Sequence, residues 1–197
     1  MSAVPPMARV GPNAITQLSA VLEERRGKAL ADAVFDAGGL LELRAHPPRE
    51  MIDQSLAIAA HRALWKLLSH DEAEALAFEA GVRTANYLLA NRIPKLAQWV
   101  LKALPRRQAA DVLLGAITRN AWTFSGSGRF SGTREGATVH LAIEANPLAT
   151  GPCAWHRGVF TRLFTELVSK DARVVETACV ADGDAACRFE VSLLDGR

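Results

Sequence analysis

The sequence predicts an α+β fold in which a helical N-terminal half precedes a β-β-α-β-β core with an antiparallel sheet. Up to about residue 119, apolar residues recur at the three- and four-residue spacing of helices. From about residue 120 they alternate with polar residues, as in half-buried strands, and one helical stripe interrupts the alternation. Helices followed by strands in this order imply an α+β fold with an antiparallel sheet.

Length and composition indicate the domain organisation. The 197 residues suffice for one domain with a sizeable core. Residues 1–12, which are rich in proline and glycine, predict a flexible tail, and residues 13–197 predict a single α+β ligand-binding domain. Within that domain, the helical part is expected over about 13–119 and the strand-containing core over about 120–197.

Composition gives no reason to expect a nucleic-acid partner or a membrane-spanning segment. With 49% hydrophobic residues, 22% charged residues and a net charge of +2, the chain lacks the strong basic excess typical of nucleic-acid-binding proteins. No apolar run approaches the roughly 18 residues of a transmembrane helix. The start of the chain has no continuous apolar stretch of the kind found in secretory signals. We therefore expect a cytoplasmic protein.

Capping and helix-breaking residues delimit the first predicted helices. Asn13 is expected to cap the first helix, which Gly27 interrupts, and Gly38-Gly39 is expected to end a second. After a proline-rich break, Met51–Leu68 predicts a long helix. Apolar residues surround most of its circumference, so this helix is expected to be buried in the core or against a partner, which favours a homodimer.

Three more helices are predicted before the strands begin. Ser69 or Asp71 is expected to cap the first of them, and Pro94 and Pro105 suit the first turns of the other two. The following elements are two strands, a helix and two further strands. The expected ranges of the first three are Ala121–Phe130, Thr138–Glu144 and Ala154–Lys170.

All three cysteines lie in the last quarter of the chain and, with one glutamate, suggest a metal site. Cys153 opens the helical segment, Glu176 and Cys179 lie in the run ARVVETACVA, and Cys187 begins the run CRFEVSLL. A polar turn at 182–184 is expected to fold the second run back on the first as a hairpin. Opposed side chains on one face of a hairpin have Cβ atoms about 4.5–5.5 Å apart, which suits two thiolates on one zinc ion.

Strand geometry sets a condition on this site. Glu176 and Cys179 are three residues apart, so they face opposite sides of a regular strand. Both can bind one metal only if a bulge or kink lies between them. Buried inert thiols and redox chemistry remain alternatives to a metal site. The odd number of cysteines argues against a disulfide.

The run ETACVADGDAACRFEV resembles the most characteristic segment of the V4R (4-vinyl reductase) domain family, and the resemblance covers roughly the last 65 residues. The same pattern is similar to the zinc site, with three Cys and one Glu ligand, in the sensor domains of phenol-responsive bacterial transcription activators. Carried over, this resemblance implies Cys153, Glu176, Cys179 and Cys187 as ligands of a structural Zn2+. His156, three residues after Cys153, is a candidate support for a ligand, or a substitute ligand if Glu176 points away.

The resemblance also implies a function. Stand-alone V4R proteins act in bacteriochlorophyll biosynthesis, so the implied role is to bind a magnesium tetrapyrrole intermediate and deliver it to an enzyme of that pathway. Attachment to the photosynthetic membrane is an open alternative for its location. A flat macrocycle needs a wide apolar slot, and a magnesium ion takes an axial ligand, for which His61 and His140 are candidates. The candidate pocket residues, which could equally form ordinary core, are His61, Trp65, Trp99, Trp122, Phe124, Phe130 and His140.

Two other functions remain open. One is a divinyl chlorophyllide or protochlorophyllide 8-vinyl (4-vinyl) reductase, and the other is a sensor of a small aromatic ligand. A dinucleotide site needs a strand, a glycine turn and a helix in succession, but Gly126-Ser127-Gly128 lies between two β-like runs. The sequence therefore contains no nucleotide cofactor motif, which favours a non-catalytic binding protein over an enzyme.

Overall fold

The computed structural model describes residues 8–193, which form a helical half followed by a four-stranded antiparallel sheet. This order confirms the α+β fold class. The described helices are α1 (Asn13–Arg26), α2 (Lys28–Ala37), α3 (Leu41–Ala45), α4 (Gln54–Leu67), α5 (His70–Asn91), α6 (Lys95–Ala103), α7 (Arg106–Arg119) and α8 (Ala154–Leu167). The described strands are β1 (Arg9–Val10), β2 (Ile52–Asp53), β3 (Arg129–Glu135), β4 (Thr138–Glu144), β5 (Arg173–Ala178) and β6 (Ala186–Ser192).

The sheet has the strand order β3-β4-β6-β5, and each neighbouring pair is antiparallel. Its inner face is apolar because alternate residues of each strand point the same way. Leu141 of β4 is opposite Phe189 of β6, and both are buried. Helix α8 covers this face, and the Phe160 ring lies 5.3 Å from the Phe189 ring between their centroids.

Helix α8 is fixed from its other side by α5. At Gly81 of α5 an added Cβ would overlap the carbonyl oxygen of Trp155, and at Gly158 of α8 it would overlap the carbonyl oxygen of Phe78. The two backbones therefore approach as closely as only glycine permits. As a result, α8 is held between the helical half and the sheet, and its first residue has a well-defined position.

Two N-terminal expectations are corrected. Of the expected flexible tail, residues 1–7 lie outside the described residues, but Arg9 and Val10 pair with β2. Val10 is completely buried, so the tail prediction is wrong for this part. The expected Met51–Leu68 helix begins only at Gln54, because Asp53 caps it by accepting a hydrogen bond of 2.7 Å from the Ser55 N–H.

The residues predicted to cap or begin helices lie at or next to the helix starts, but none of Asn13, Ser69, Pro94 and Pro105 forms a side-chain cap. Helix α1 does begin at Asn13, but it is preceded by Pro12 and has no side-chain cap. Ser69 precedes α5, also without a side-chain cap bond. Pro94 and Pro105 directly precede α6 and α7, one residue earlier than their predicted place in the first turn. The short helix α3 was not predicted.

The expected strand over Ala121–Phe130 is also wrong for most of its length. Ala121–Thr123 forms a short 3-10 helix, and β3 begins only at Arg129. The intervening segment turns through Gly126, whose φ of +55° favours glycine. The side chain of Gln54 anchors this turn by accepting a hydrogen bond of 2.8 Å from the Ser127 N–H. The alternation of aromatic and small residues there reflected a turn and not a strand.

Helix α4 is covered largely within the chain. Its buried residues include Ala57, Ala60 and Leu64, whereas Arg62 and Lys66 on the opposite side are exposed. The homodimer, which was inferred from an apolar surface all round this helix, therefore remains a prediction without that support. Among residues 8–193, no helix is both long and apolar enough to cross a membrane.

Candidate metal centre

Three neighbouring segments bring three cysteines and one glutamate together. Cys153 immediately precedes α8, Glu176 lies in β5, Cys179 follows β5 and Cys187 lies in β6. The cysteines are at most 3% exposed, and Glu176 is partly buried. One potential ligand atom from each of the four residues lies within 4.8 Å of all the others. The four side chains thus form a candidate metal-binding cluster.

A β-bulge allows all four side chains to share one face. Glu176 is opposite Phe189, and the next pair in the ladder is Ala178 with Arg188, so Thr177 is an extra residue in β5. The bulge restores Cys179 to the inner side, where its Sγ lies 4.0 Å from the Sγ of Cys187. The condition set by the three-residue spacing is therefore met.

The sulfur positions are close to those of a tetrahedral site. A metal with bonds of about 2.3 Å to sulfur separates its thiolates by about 3.8 Å. The Sγ atom of Cys179 lies 3.8 Å from that of Cys153 and 4.0 Å from that of Cys187. Cys153 and Cys187 are closer, with their Sγ atoms 2.9 Å apart. Metal binding would increase the distance between these two sulfur atoms by about 1 Å.

Glu176 also connects the hairpin to α8. Its two carboxylate oxygens accept hydrogen bonds of 3.1 and 3.0 Å from the N–H of Cys153. A carboxylate is favourable at this position because the N–H groups at the start of a helix lack partners within the helix. The same side chain that offers an oxygen ligand therefore fixes the backbone of a sulfur ligand.

The turn between β5 and β6 fixes Cys179. The N–H of Cys179 donates a hydrogen bond of 3.0 Å to the carboxylate of Asp184, and the N–H of Val180 lies 3.4 Å from the sulfur of Cys187. Gly183 has a φ of +98°, which lets the chain reverse. The polar turn predicted from the sequence thus orients the ligands as well as joining the strands.

Asn146 is a supporting residue that the sequence analysis missed. It is 3% exposed, and its Nδ2 donates hydrogen bonds of 3.3 Å to the sulfur of Cys153 and 3.4 Å to that of Cys187. Its Oδ1 accepts a hydrogen bond of 3.1 Å from the N–H of Leu148, which fixes the side chain. A lone asparagine in a loop resembles many turn residues, so its role is visible only from its burial.

Electrostatics divide the protons unequally between the thiols. Hydrogen bonds with Cys179 and Cys187 raise the pKa of Cys153 far above the usual thiol range, and burial adds to this shift. Hydrogen bonds from Cys153 and Cys179 lower the pKa of Cys187 well below the usual range, against the effect of burial. The contact between these two sulfur atoms therefore favours ionisation at Cys187 over ionisation at Cys153.

The pKa of Glu176 is raised, whereas that of Cys187 is lowered. Burial raises the pKa of Glu176 to about 7, and the nearby charge of Cys179 adds to the shift. The hydrogen bond from the N–H of Cys153 partly opposes this increase. Without a metal, the carboxyl group is therefore protonated over part of the neutral range.

Comparisons with known proteins identify the family to which this chain belongs. The family model of the V4R domain matches residues 139–193, which include all of β4 but its first residue, helix α8 and the hairpin. A protein named bacteriochlorophyll synthase 23 kDa chain from Cereibacter sphaeroides is 43% identical over 190 residues, which cover 93% of this chain and 90% of that protein. This chain belongs to the V4R-domain family. A protein of the same name from Rhodobacter capsulatus is 38% identical over 187 residues, covering 92% of this chain and 85% of that protein.

Solved structures with low sequence identity share the fold of this V4R protein. An H-NOX protein from K. algicida, in its unliganded Fe(II) state, is 12% identical with a TM-score of 0.67, over 95% of this chain and 98% of that chain. An H-NOX protein from S. oneidensis in the Fe(II)NO state is 11% identical with a TM-score of 0.56, over 94% of this chain and all of that chain. At this identity the likeness concerns the fold alone.

His156 lies outside the four-residue cluster of the V4R protein, in an aromatic layer. It is 2% exposed, and its Nε2 lies 3.3 Å from the carbonyl oxygen of Phe124. Burial lowers the pKa of His156 to about 4, so the ring is neutral at physiological pH. The rings of Phe124, Trp155 and Phe160 surround it, at centroid distances of 6.1, 4.9 and 6.4 Å.

The candidate pocket residues do not converge on one slot. Phe124 and Phe130 meet with their ring centroids 5.4 Å apart, but Trp99 and Trp122 are exposed and Trp65 is half-buried. The two candidate axial ligands also lie apart, because His61 is buried and His140 lies on the outer face of the sheet.

The two candidate histidines differ in access to solvent. His61 is buried, and its Nε2 lies 3.1 Å from the carbonyl oxygen of Ala14. His140 lies on the outer face of the sheet, where its Nδ1 is 3.7 Å from Glu190. It lines a shallow opening of about 150 Å³. A second opening, of about 330 Å³, lies beside Phe78 and Arg157.

Removing a sulfur ligand should release the metal and destabilise the fold. We expect one metal ion per chain in the wild-type protein and none in Cys179→Ser or Cys187→Ser. Because the binding free energy of a structural metal contributes to folding, the free energy of unfolding should fall by about 4 kcal/mol or more. Metal analysis and thermal unfolding measure the two effects.

Val175→Ser is the matched control, because it introduces the same residue at an exposed position of β5, the strand that leads to Cys179. It should keep the metal and change stability little. Metal-free wild-type protein, together with cysteine variants that melt at the wild-type temperature, would refute a structural site.

Glu176 should make metal affinity depend on pH. Since the pKa of Glu176 is raised to about 7 in the metal-free protein, a proton must leave the carboxyl group at lower pH before it can bind metal. Below about pH 7, this group alone should reduce affinity roughly tenfold per pH unit, whereas above it the effect disappears. Competition titrations with a chelator, between about pH 5.5 and 8, would measure this dependence.

Glu176→Gln provides the reference for this experiment, because an amide cannot lose the proton in question. Its affinity should be lower than that of the wild type at high pH, and the difference should narrow as the pH falls. Parallel pH profiles for the two proteins would show that Glu176 is not a ligand.

Proposed function

We propose that this chain is a zinc-stabilised V4R protein that binds a magnesium tetrapyrrole intermediate and acts as a carrier or accessory factor in bacteriochlorophyll biosynthesis. The observation that carries the proposal is the 43% identity, over 93% of the chain, to a protein named bacteriochlorophyll synthase 23 kDa chain. The recipient would be an enzyme of the same pathway. Two features of the structure support the proposal: the donor set of the cluster, and the aromatic layer around His156.

Zinc suits the donor set of the cluster. Three thiolates and one carboxylate are typical ligands of a tetrahedral zinc ion, which has no redox chemistry of its own. Because Cys153, Glu176, Cys179 and Cys187 would fill all four positions, the ion would have no open position for water. Bound zinc would supply folding energy that joins the start of α8 to the hairpin.

The aromatic layer around Phe124 and His156 is the proposed tetrapyrrole site. Phe124, Phe130 and His156 lie there together, and the first two are candidate pocket residues. Ligand sites are mostly apolar with a few polar groups, and a neutral histidine in aromatic surroundings fits that description. Neither the opening of about 330 Å³ nor that of about 150 Å³ is lined by these three residues, so binding at this layer would need the neighbouring segment 125–128 to move outward.

An outward movement of the segment 125–128 would have to release the packing of Gly128 against the backbone of Glu144, and would expose Ser125, which is buried. The segment contains two glycines, and the side chain of Gln54 holds it through two hydrogen bonds with Ser127, of 2.8 and 3.1 Å. By contrast, α5 and α8 are locked by their glycine contacts and cannot separate without large rearrangement. A ligand would therefore enter from the side of the short 3-10 helix.

An absorbance titration with magnesium protoporphyrin and its monomethyl ester tests the proposal. We expect a saturable band shift at one ligand per chain for the zinc-loaded protein. Phe124→Ala should weaken binding by roughly tenfold or more, because an aromatic contact is lost from the site. His140→Ala is the control, because its side chain lies on the opposite face of the sheet from this layer.

No band shift in a protein that contains its metal would contradict tetrapyrrole binding. A shift that His140→Ala abolishes and Phe124→Ala preserves would move the site to the outer face of the sheet. Incubation with a divinyl substrate and NADPH separates the carrier from a reductase: a carrier should leave the vinyl absorbance unchanged.

A further inference from the structure

Helix α6 presents an apolar face to solvent. Leu96 and Trp99 are 77% and 76% exposed, and Val100 is 50% exposed. Their spacing along the helix places them on one side, which is the pattern of an amphipathic helix. Within α6, Gln98 and Leu101 are the residues that point into the protein. The apolar side of α6 therefore faces away from the core.

The orientation of α6 is fixed and not accidental. Gln98 is buried, and its Nε2 donates hydrogen bonds of 2.6 Å to the carbonyl of Leu89 and 2.8 Å to that of Ile93. These carbonyls belong to the end of α5 and the connection that follows. A buried polar side chain with this geometry would lose both bonds if α6 rotated to bury Trp99. The exposed face is thus a stable feature of the fold.

The stretch of sequence that contains α6 is basic. Residues 80–110 contain no aspartate or glutamate and six basic residues, namely Arg83, Arg92, Lys95, Lys102, Arg106 and Arg107. Arg83 pairs with Glu24 and Glu79, and Lys102 pairs with Glu166. Within the part of the chain that the structure describes, Arg92, Lys95 and Arg107 have no ion pair.

A second copy of this chain is a poor occupant of this face. A stable protein interface buries about 800 Å² on each partner, and three large side chains supply only part of that area. A symmetric dimer through α6 would also bring two sets of basic residues together, and like charges at an interface are unfavourable. The occupant must therefore be anionic and must accept a convex apolar helix.

We infer that α6 is a docking surface for an anionic lipid bilayer. Helices that lie in a bilayer surface combine Trp and Leu on one face with Lys and Arg beside them. Leu96, Trp99 and Val100 would enter the headgroup and upper acyl region, while Arg92 and Lys95 pair with lipid phosphates. This inference does not depend on tetrapyrrole binding.

Sedimentation of the full-length protein with lipid vesicles tests this surface. The vesicles are pure phosphatidylcholine or an equal mixture of phosphatidylcholine and phosphatidylglycerol. We expect binding to the mixed vesicles, weak binding to pure phosphatidylcholine, and weaker binding as the salt concentration rises. Leu96→Ser with Trp99→Ser should reduce the partition coefficient at least about tenfold, because two apolar anchors are lost.

Two further variants separate the apolar and electrostatic contributions. Arg92→Gln with Lys95→Gln should weaken binding to mixed vesicles about fivefold for each charge removed. Trp122→Ser with Val175→Ser is the control, because it removes two exposed apolar side chains elsewhere. The control should bind like the wild type.

Three results would overturn the inference. They are no wild-type binding to mixed vesicles, equal binding to both kinds of vesicle, and unchanged binding by the Leu96→Ser, Trp99→Ser variant. A fourth contradicting result would come from sedimentation velocity without lipid. If the wild type were a dimer and this variant a monomer, the apolar face of α6 would be a dimer interface and not a lipid-binding surface. All substituted positions are exposed, and thermal unfolding checks that each variant is folded.

Discussion

The extra residue at Thr177 is the constraint on which the rest of the centre depends. A regular strand would direct Glu176 and Cys179 to opposite faces, and the sheet would then carry two separate polar groups instead of one cluster. With the bulge, both side chains meet Cys187 on the buried face. One backbone irregularity thus turns an apolar sheet face into a ligand set for a metal.

The centre connects the hairpin, the loop after β4 and the start of α8. Glu176 binds the backbone of Cys153, and Cys153 begins the helix that packs on the sheet and against α5. Asn146 connects the loop after β4 to the centre through its hydrogen bonds to the sulfur atoms of Cys153 and Cys187. A metal here would fix the hairpin, the loop and the helix relative to one another.

The sequence was sufficient for the fold class and the four cluster residues, but not for their arrangement. Periodicity separates helices from strands, and residue type together with the family resemblance marks Cys153, Glu176, Cys179 and Cys187 as candidate metal ligands. A bulge leaves no trace in an alternating pattern, because Thr177 is compatible with either register. The strand expected over Ala121–Phe130 failed for a related reason, since turns and strands can share the same alternation. Asn146 and the orientation of α6 depend on tertiary contacts that no local pattern contains.

X-ray absorption spectroscopy at the edge of the bound metal tests the central claim most directly, because it reports the ligands of one ion in the folded protein. Zinc bound by the three cysteines and Glu176 should show three sulfur neighbours at about 2.3 Å and one oxygen neighbour at about 2.0–2.2 Å. Glu176→Gln should alter the oxygen shell and leave the sulfur shell in place. Fewer than three sulfur neighbours, or a shell with nitrogen from histidine, would contradict a site built by the bulge from these four residues.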